Sequence, residues 1–66
     1  MKVVINGEAH QAAGAMSLAQ AVAVLTRAES GVAAAVNGDV VRRAAWHTTQ
    51  LADGDEVEVM TAVQGG

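Results

Sequence analysis

Sixty-six residues make one domain near the lower size limit, where folding buries only about 60% of the surface the unfolded chain exposes, which leaves no room for a deep catalytic cavity. The chain is 52% hydrophobic but mostly through Ala and Val, with Trp46 its one aromatic residue, and it has no cysteine, which excludes a disulfide, an Fe–S cluster, a Cys-type zinc site and a thiol nucleophile. A net charge of -3 with four Lys plus Arg gives no basic footprint for nucleic acid, and no apolar run approaches the ~20 residues of a membrane span. The N-terminus carries no signal-peptide pattern, so a soluble, cytoplasmic protein with neither nucleic acid nor membrane as partner is expected.

In chain order, Lys2 to Ile5 is a short β-branched run closed by Asn6-Gly7, the strongest dipeptide signal for a tight hairpin, so a return strand is predicted over roughly 8–12. Ser17 and Gln20 have the spacing of a capping box, which starts a helix at Leu18. Leu18, Ala21, Val22 and Leu25 then fall on one helix face, a stripe suited to packing on a sheet. Gly31 is placed to end this segment, as a left-handed cap or in the loop just beyond.

Residues 32–36 read as a third strand, Asn37-Gly38 repeats the hairpin signal, and Val40 and Val41 supply a short return strand before a polar stretch over 42–50. After a turn at Asp53-Gly54, Val57, Val59, Thr61 and Val63 alternate with Glu56, Glu58, Met60 and Ala62, as in a strand with one buried face. The order is ββαββ plus a final strand. It predicts an α+β domain of the β-grasp (ubiquitin-like) type, a mixed sheet of about five strands packed on one helix, over residues 1–63, with a flexible tail over 64–66. Val3, Ile5, Leu18, Val22, Leu25, Val57 and Val59 are expected to share its core.

The tail reads Gln64-Gly65-Gly66. At a background Gly frequency near ~7%, two terminal glycines arise by chance in roughly one chain in two hundred, so the pair is suggestive alone and more specific after this fold pattern. Glycines lacking Cβ let the backbone thread a narrow slot, with Gln64 and Gly65 entering it and the Gly66 carboxylate approaching an ATP α-phosphate held by another protein. That carboxylate is ionised at neutral pH and a poor electrophile until adenylation converts it to a mixed anhydride, which a persulfide sulfur can attack.

The segment AVNGDVVRR, the following Trp46, LADGDEVEV and the terminal Gly65-Gly66 together resemble the ThiS family of thiamine-biosynthesis sulfur carriers, along essentially the whole chain. Arg43, the Asn37 turn and the Asp53-Gly54-Asp55 turn fit the same pattern. Arg42 departs from it, because many members have proline there. The resemblance implies a carrier with no bound cofactor and no catalytic residue of its own. It implies that a ThiF-like enzyme adenylates Gly66, that sulfur passed on from a donor such as a cysteine desulfurase gives a thiocarboxylate, and that thiazole synthase consumes it. Within the same chemistry the small subunit of molybdopterin synthase is an alternative, though usually longer. Others are a ubiquitin-like protein modifier, and a plain β-grasp interaction module whose Gly-Gly end is incidental.

The first and last strands of a β-grasp sheet are neighbours, so outward-facing Val4, Met60 and Ala62 are expected to form an apolar strip beside Glu56 and Glu58 where partners dock. The acidic residues Asp53, Asp55, Glu56 and Glu58 lack the spacing of a calcium loop and suit steering of the tail toward a basic cleft. His10 and His47 lie far apart without cysteine companions, so surface or turn histidines are expected in place of a metal site. Trp46 reads as the largest plug of the core, Arg42-Arg43 as solubilising, and Ser17 as a helix cap and not a nucleophile.

Overall fold

The computed structural model describes residues 1–28 and 30–61. Five strands form one mixed sheet: β1 (Lys2–Ile5), β2 (Glu8–Gln11), β3 (Val32–Val36), β4 (Asp39–Val41) and β5 (Glu56–Thr61). Their spatial order is β2-β1-β5-β3-β4, with β5 central, parallel to β1 and antiparallel to β3. This is the arrangement the sequence predicts, in which the last strand fills the gap between two hairpins.

Both hairpins turn on Asn-Gly pairs in the left-handed region, with φ of 50° and 83° at Asn6 and Gly7 and of 50° and 87° at Asn37 and Gly38. Two consecutive positive-φ residues give the turn whose twist matches that of the flanking strands, which is why Asn followed by Gly is favoured. The first hairpin pairs Ile5 with Glu8 and Val3 with His10; the second pairs Val36 with Asp39 and Ala34 with Val41.

The helix α1 (Leu18–Leu25) begins in the predicted capping box: Gln20 N–H donates to Ser17 Oγ at 3.2 Å, and Ser17 N–H donates to Gln20 Oε1 at 2.8 Å. It stops earlier than a cap near Gly31 would place it. Thr26 is already extended, its N–H donating to Val22 O at 3.0 Å, and Gly31 (φ 72°) lies in the loop leading into β3. The polar stretch after β4 also holds an element absent from the prediction, a 3-10 helix at Arg43–Thr48.

The core comprises Val3 and Ile5 from β1, Leu18, Ala21 and Val22 from α1, Ala34 from β3, Val57 and Val59 from β5, and Trp46 and Leu51. Leu25, expected in this core, is a correction. Burial fades along the helix from 0% exposure at Leu18 and Ala21 through 4% at Val22 to 43% at Leu25. The last turn of α1 carries the stripe past the buried cluster and into solvent. Thr61, on the inward parity of β5, is also exposed, so the strand too outruns the core. Leu51, which lies on no periodic element, is buried in the core, and its N–H donates to Met16 O at 2.9 Å, joining this loop to the segment that leads into the helix.

Candidate functional site

Strand β5 presents Glu56, Glu58 and Met60 to the face opposite the helix and buries Val57 and Val59. On that outer face the register sets Val4 beside Glu56, Ala35 beside Glu58 and Ala33 beside Met60, with Val40 of β4 across from Ala35. Met60 is 48% exposed and Val40 74%, Ala33 is exposed, and Val4 is half-buried among its neighbours. Val4, Glu56, Glu58 and Met60, named from sequence, therefore share one face. Ala33 and Val40 widen it and were missed, since strand parity places them only once β3 and β4 are registered against β5. A shallow depression beside Met60, bordered by Gly31, Val32, Ala33 and Thr61, lies at the end where β5 leads to the tail. Ala62, Gln64, Gly65 and Gly66 lie outside the described residues.

Each Asn-Gly turn also fastens β5. Asn6 Oδ1 accepts from Val59 N–H at 2.8 Å and its Nδ2 donates to Val59 O at 3.2 Å, so the side chain continues the pairing where β1 turns away. On the other side Asn37 Oδ1 accepts from Glu56 N–H at 3.0 Å, and its Nδ2 donates to Asp55 Oδ1 at 3.0 Å. The Ala52 N–H bonded to the Asp55 carboxylate, and then Asn37, hold that carboxyl below the usual aspartate range. Asp53 accepts from Lys2 N–H at 2.7 Å, tying its turn to β1. These two aspartates thus shape the turn that launches β5, while Glu56 and Glu58 are exposed on the outer face.

The remaining sequence candidates are spread over the fold. His47 is exposed on the 3-10 helix, whereas His10 is half-buried on β2 with Nε2 3.7 Å from Glu8 Oε1, beyond hydrogen-bond range. Among the described residues no group of three His, Cys, Asp or Glu side chains could hold a metal ion. Trp46 is 4% exposed, its Nε1 donating to Val41 O at 2.8 Å and the Arg43 guanidinium lying 5.1 Å from its ring centroid, so it plugs the core while its one polar atom is satisfied. Arg42 has φ -67° and ψ 150°, a backbone conformation that proline also adopts, so this position is compatible with proline.

The ThiS family model matches residues 3–66, nearly the whole chain and through to Gly66. This chain belongs to the ThiS family. It is 27% identical over 66 residues to the sulfur carrier protein ThiS of Escherichia coli (strain K12), covering all of both chains. The crystal structure of the thiamine biosynthesis protein ThiS from Geobacter metallireducens superposes with a TM-score of 0.77 at 29% identity, again over all of both chains. The solution structure of a thiamine biosynthesis protein from the same organism gives 0.77 and 29%, covering this whole chain and 88% of that one. ThiS-family membership and the mixed five-stranded sheet on one helix thus agree with the fold and the resemblance read from sequence. No helix among the described residues is long and apolar enough to cross a membrane.

Proposed function

We propose that this member of the ThiS family, a sulfur carrier protein for thiazole formation in thiamine biosynthesis, works through its C-terminus. A ThiF-like partner adenylates the Gly66 carboxylate, with pyrophosphate leaving ATP. The terminal sulfur of a persulfide, supplied indirectly by a donor such as a cysteine desulfurase, then displaces AMP to give an acyl disulfide, and a thiol attacks the donor-side sulfur of that S–S bond, forming a new disulfide with the donor and releasing the thiocarboxylate. Thiazole synthase takes the sulfur. The chain itself supplies no catalytic group: it presents a reacting carbon on a slender tether, and the enzymes supply ATP, sulfur and a water-excluded site.

The observation that carries this reading is the family match running to Gly66 on a fold whose last described strand is central in the sheet. Three residues beyond Val63 reach roughly 10 Å, enough to bring a carboxylate from the domain surface into a recessed site. Full-length similarity to proteins named for thiamine biosynthesis favours this role over a molybdopterin-synthase subunit or a protein modifier. The partner-facing surface is the outer sheet face, Val4, Glu56, Glu58 and Met60 with Ala62 beyond, where charge orients the encounter and Met60 adds apolar contact.

Register is the property to test. Deleting Gly66, or adding one residue after it, moves the reacting carbon about one residue length away from bound ATP and should abolish sulfur loading. Gly65→Val should impair loading by blocking the slot, with an unchanged melting curve. Loading of the deletion variant at the wild-type rate contradicts the proposal.

A further inference from the structure

The helix side of the domain carries a feature that the carrier role does not use. Between the C-terminal half of α1 and the 3-10 helix lies a groove of about 210 Å³. Ala19, Val22, Ala23 and Trp46 give it an apolar floor, and Arg27, Arg43 and His47 stand at its rim. No acidic side chain among the described residues lines it, and none there makes a salt bridge to Arg27, Arg43 or His47.

The chain has few cations. Of its four Lys and Arg, Arg27 and Arg43 line this groove, while Glu56 and Glu58 stand on the outer face of the sheet. Arg43 is held in place, its guanidinium over the Trp46 ring at 5.1 Å and its Nη2 donating to Ala28 O at 3.4 Å, so little ordering remains to be lost on binding. The end of α1 opposes an anion with only about half a negative charge, against two full guanidinium charges. Groove size narrows the occupant further: ligand pockets run to roughly 300–1,000 Å³, so this one suits a single apolar side chain better than a cofactor.

We propose that this groove is a docking site for an acidic segment of a partner protein, one that seats an apolar side chain against Val22 and Trp46 and sets carboxylates on Arg27, Arg43 and His47. An acidic partner is repelled by Glu56 and Glu58 on the outer face and meets two guanidinium groups here, so long-range charge favours an approach from the helix side. Because α1 packs on the inner face of the sheet, the groove stays open while the outer face is engaged. The carrier can then be held by two proteins at once. This inference stands independently of the sulfur-carrier reading.

The test uses the full chain, isotope-labelled, and a capped pentapeptide with two acidic residues on each side of one leucine, followed by NMR. Shifts should concentrate at Arg27, Arg43, His47 and the Trp46 indole N–H, and fade at about 1 M salt, where the screening length falls to about 3 Å. Arg27→Gln should weaken binding about two- to fivefold and the Arg27→Gln/Arg43→Gln pair about tenfold. Arg43 touches Trp46, so melting curves accompany both variants, and Arg27→Gln alone carries the test if the pair melts early. The proposal is overturned if the peptide does not bind, if Arg27→Gln binds it as well as wild type, or if the leucine can be exchanged for glycine without loss. It is equally overturned if inorganic phosphate alone reproduces the shifts, or if the same resonances move on dilution without peptide, which would make a second copy the occupant.

Discussion

Asn6 holds Val59 across 53 positions of sequence, accepting from its N–H at 2.8 Å and donating to its C=O at 3.2 Å. The turn residue that closes the first hairpin also completes the edge of the central strand, just before that strand leads to the tail. Asn6→Gly keeps the left-handed turn but strips both bonds from a part-buried strand. A loss of about 1–3 kcal/mol is expected in urea unfolding. Asn6→Asp, which keeps the acceptor but not the amide donor, should fall between the two. Equal midpoints for Asn6→Gly and wild type would show that the bonds contribute nothing.

The exposure of Leu25 reverses the mutational expectation its helical spacing suggests. Leu25→Asp should fold, with a cost within about 1 kcal/mol, since the side chain is 43% exposed and outside the core cluster. Leu18, fully buried, should behave oppositely: Leu18→Ala removes about 2–5 kcal/mol from a total of about 5 kcal/mol and should lower the melting midpoint far more than Leu25→Asp does. Circular dichroism melts of the two variants separate these outcomes.

At Arg42 the backbone conformation of -67° and 150° already suits proline, and the preceding Val41 is in a strand, the region a pre-proline residue favours. Arg42→Pro should therefore raise stability by about 0.4–1 kcal/mol through the unfolded chain. A destabilised variant would mean that the Arg42 N–H makes a bond the protein needs.

On the outer sheet face, Met60→Glu should leave the melting curve unchanged and weaken binding to the adenylating partner by about tenfold, the loss expected for an apolar residue at the centre of an interface. Calorimetry showing equal affinity would remove this face from the binding surface.

What the sequence discloses here is what depends on near neighbours. Asn6-Gly7, Asn37-Gly38, the Ser17 and Gln20 capping box and the alternation of Val57 and Val59 with Glu56 and Glu58 are each set by a few adjacent residues, and each is found where expected. The 3-10 helix at Arg43–Thr48 has no apolar period to announce it, and its anchor, Trp46 Nε1 on Val41 O, depends on tertiary placement. Leu25 has correct spacing, but spacing cannot tell how far the sheet extends beneath the helix. The partners of Asn6 and Asn37 on β5, and the face shared by Val40, Ala33 and Met60, exist only after strands distant in sequence are paired. The chemistry proposed for Gly65 and Gly66 is argued from sequence alone, since both lie outside the described residues.

The most direct test of the account is the mass of the C-terminal peptide after the purified chain is incubated with ATP, a ThiF-like enzyme and a sulfur source. The account predicts one oxygen-for-sulfur exchange, confined to Gly66 and absent when ATP is omitted. A C-terminus that keeps its unmodified mass under these conditions, while the same enzyme and sulfur source load an established ThiS carrier, would contradict it.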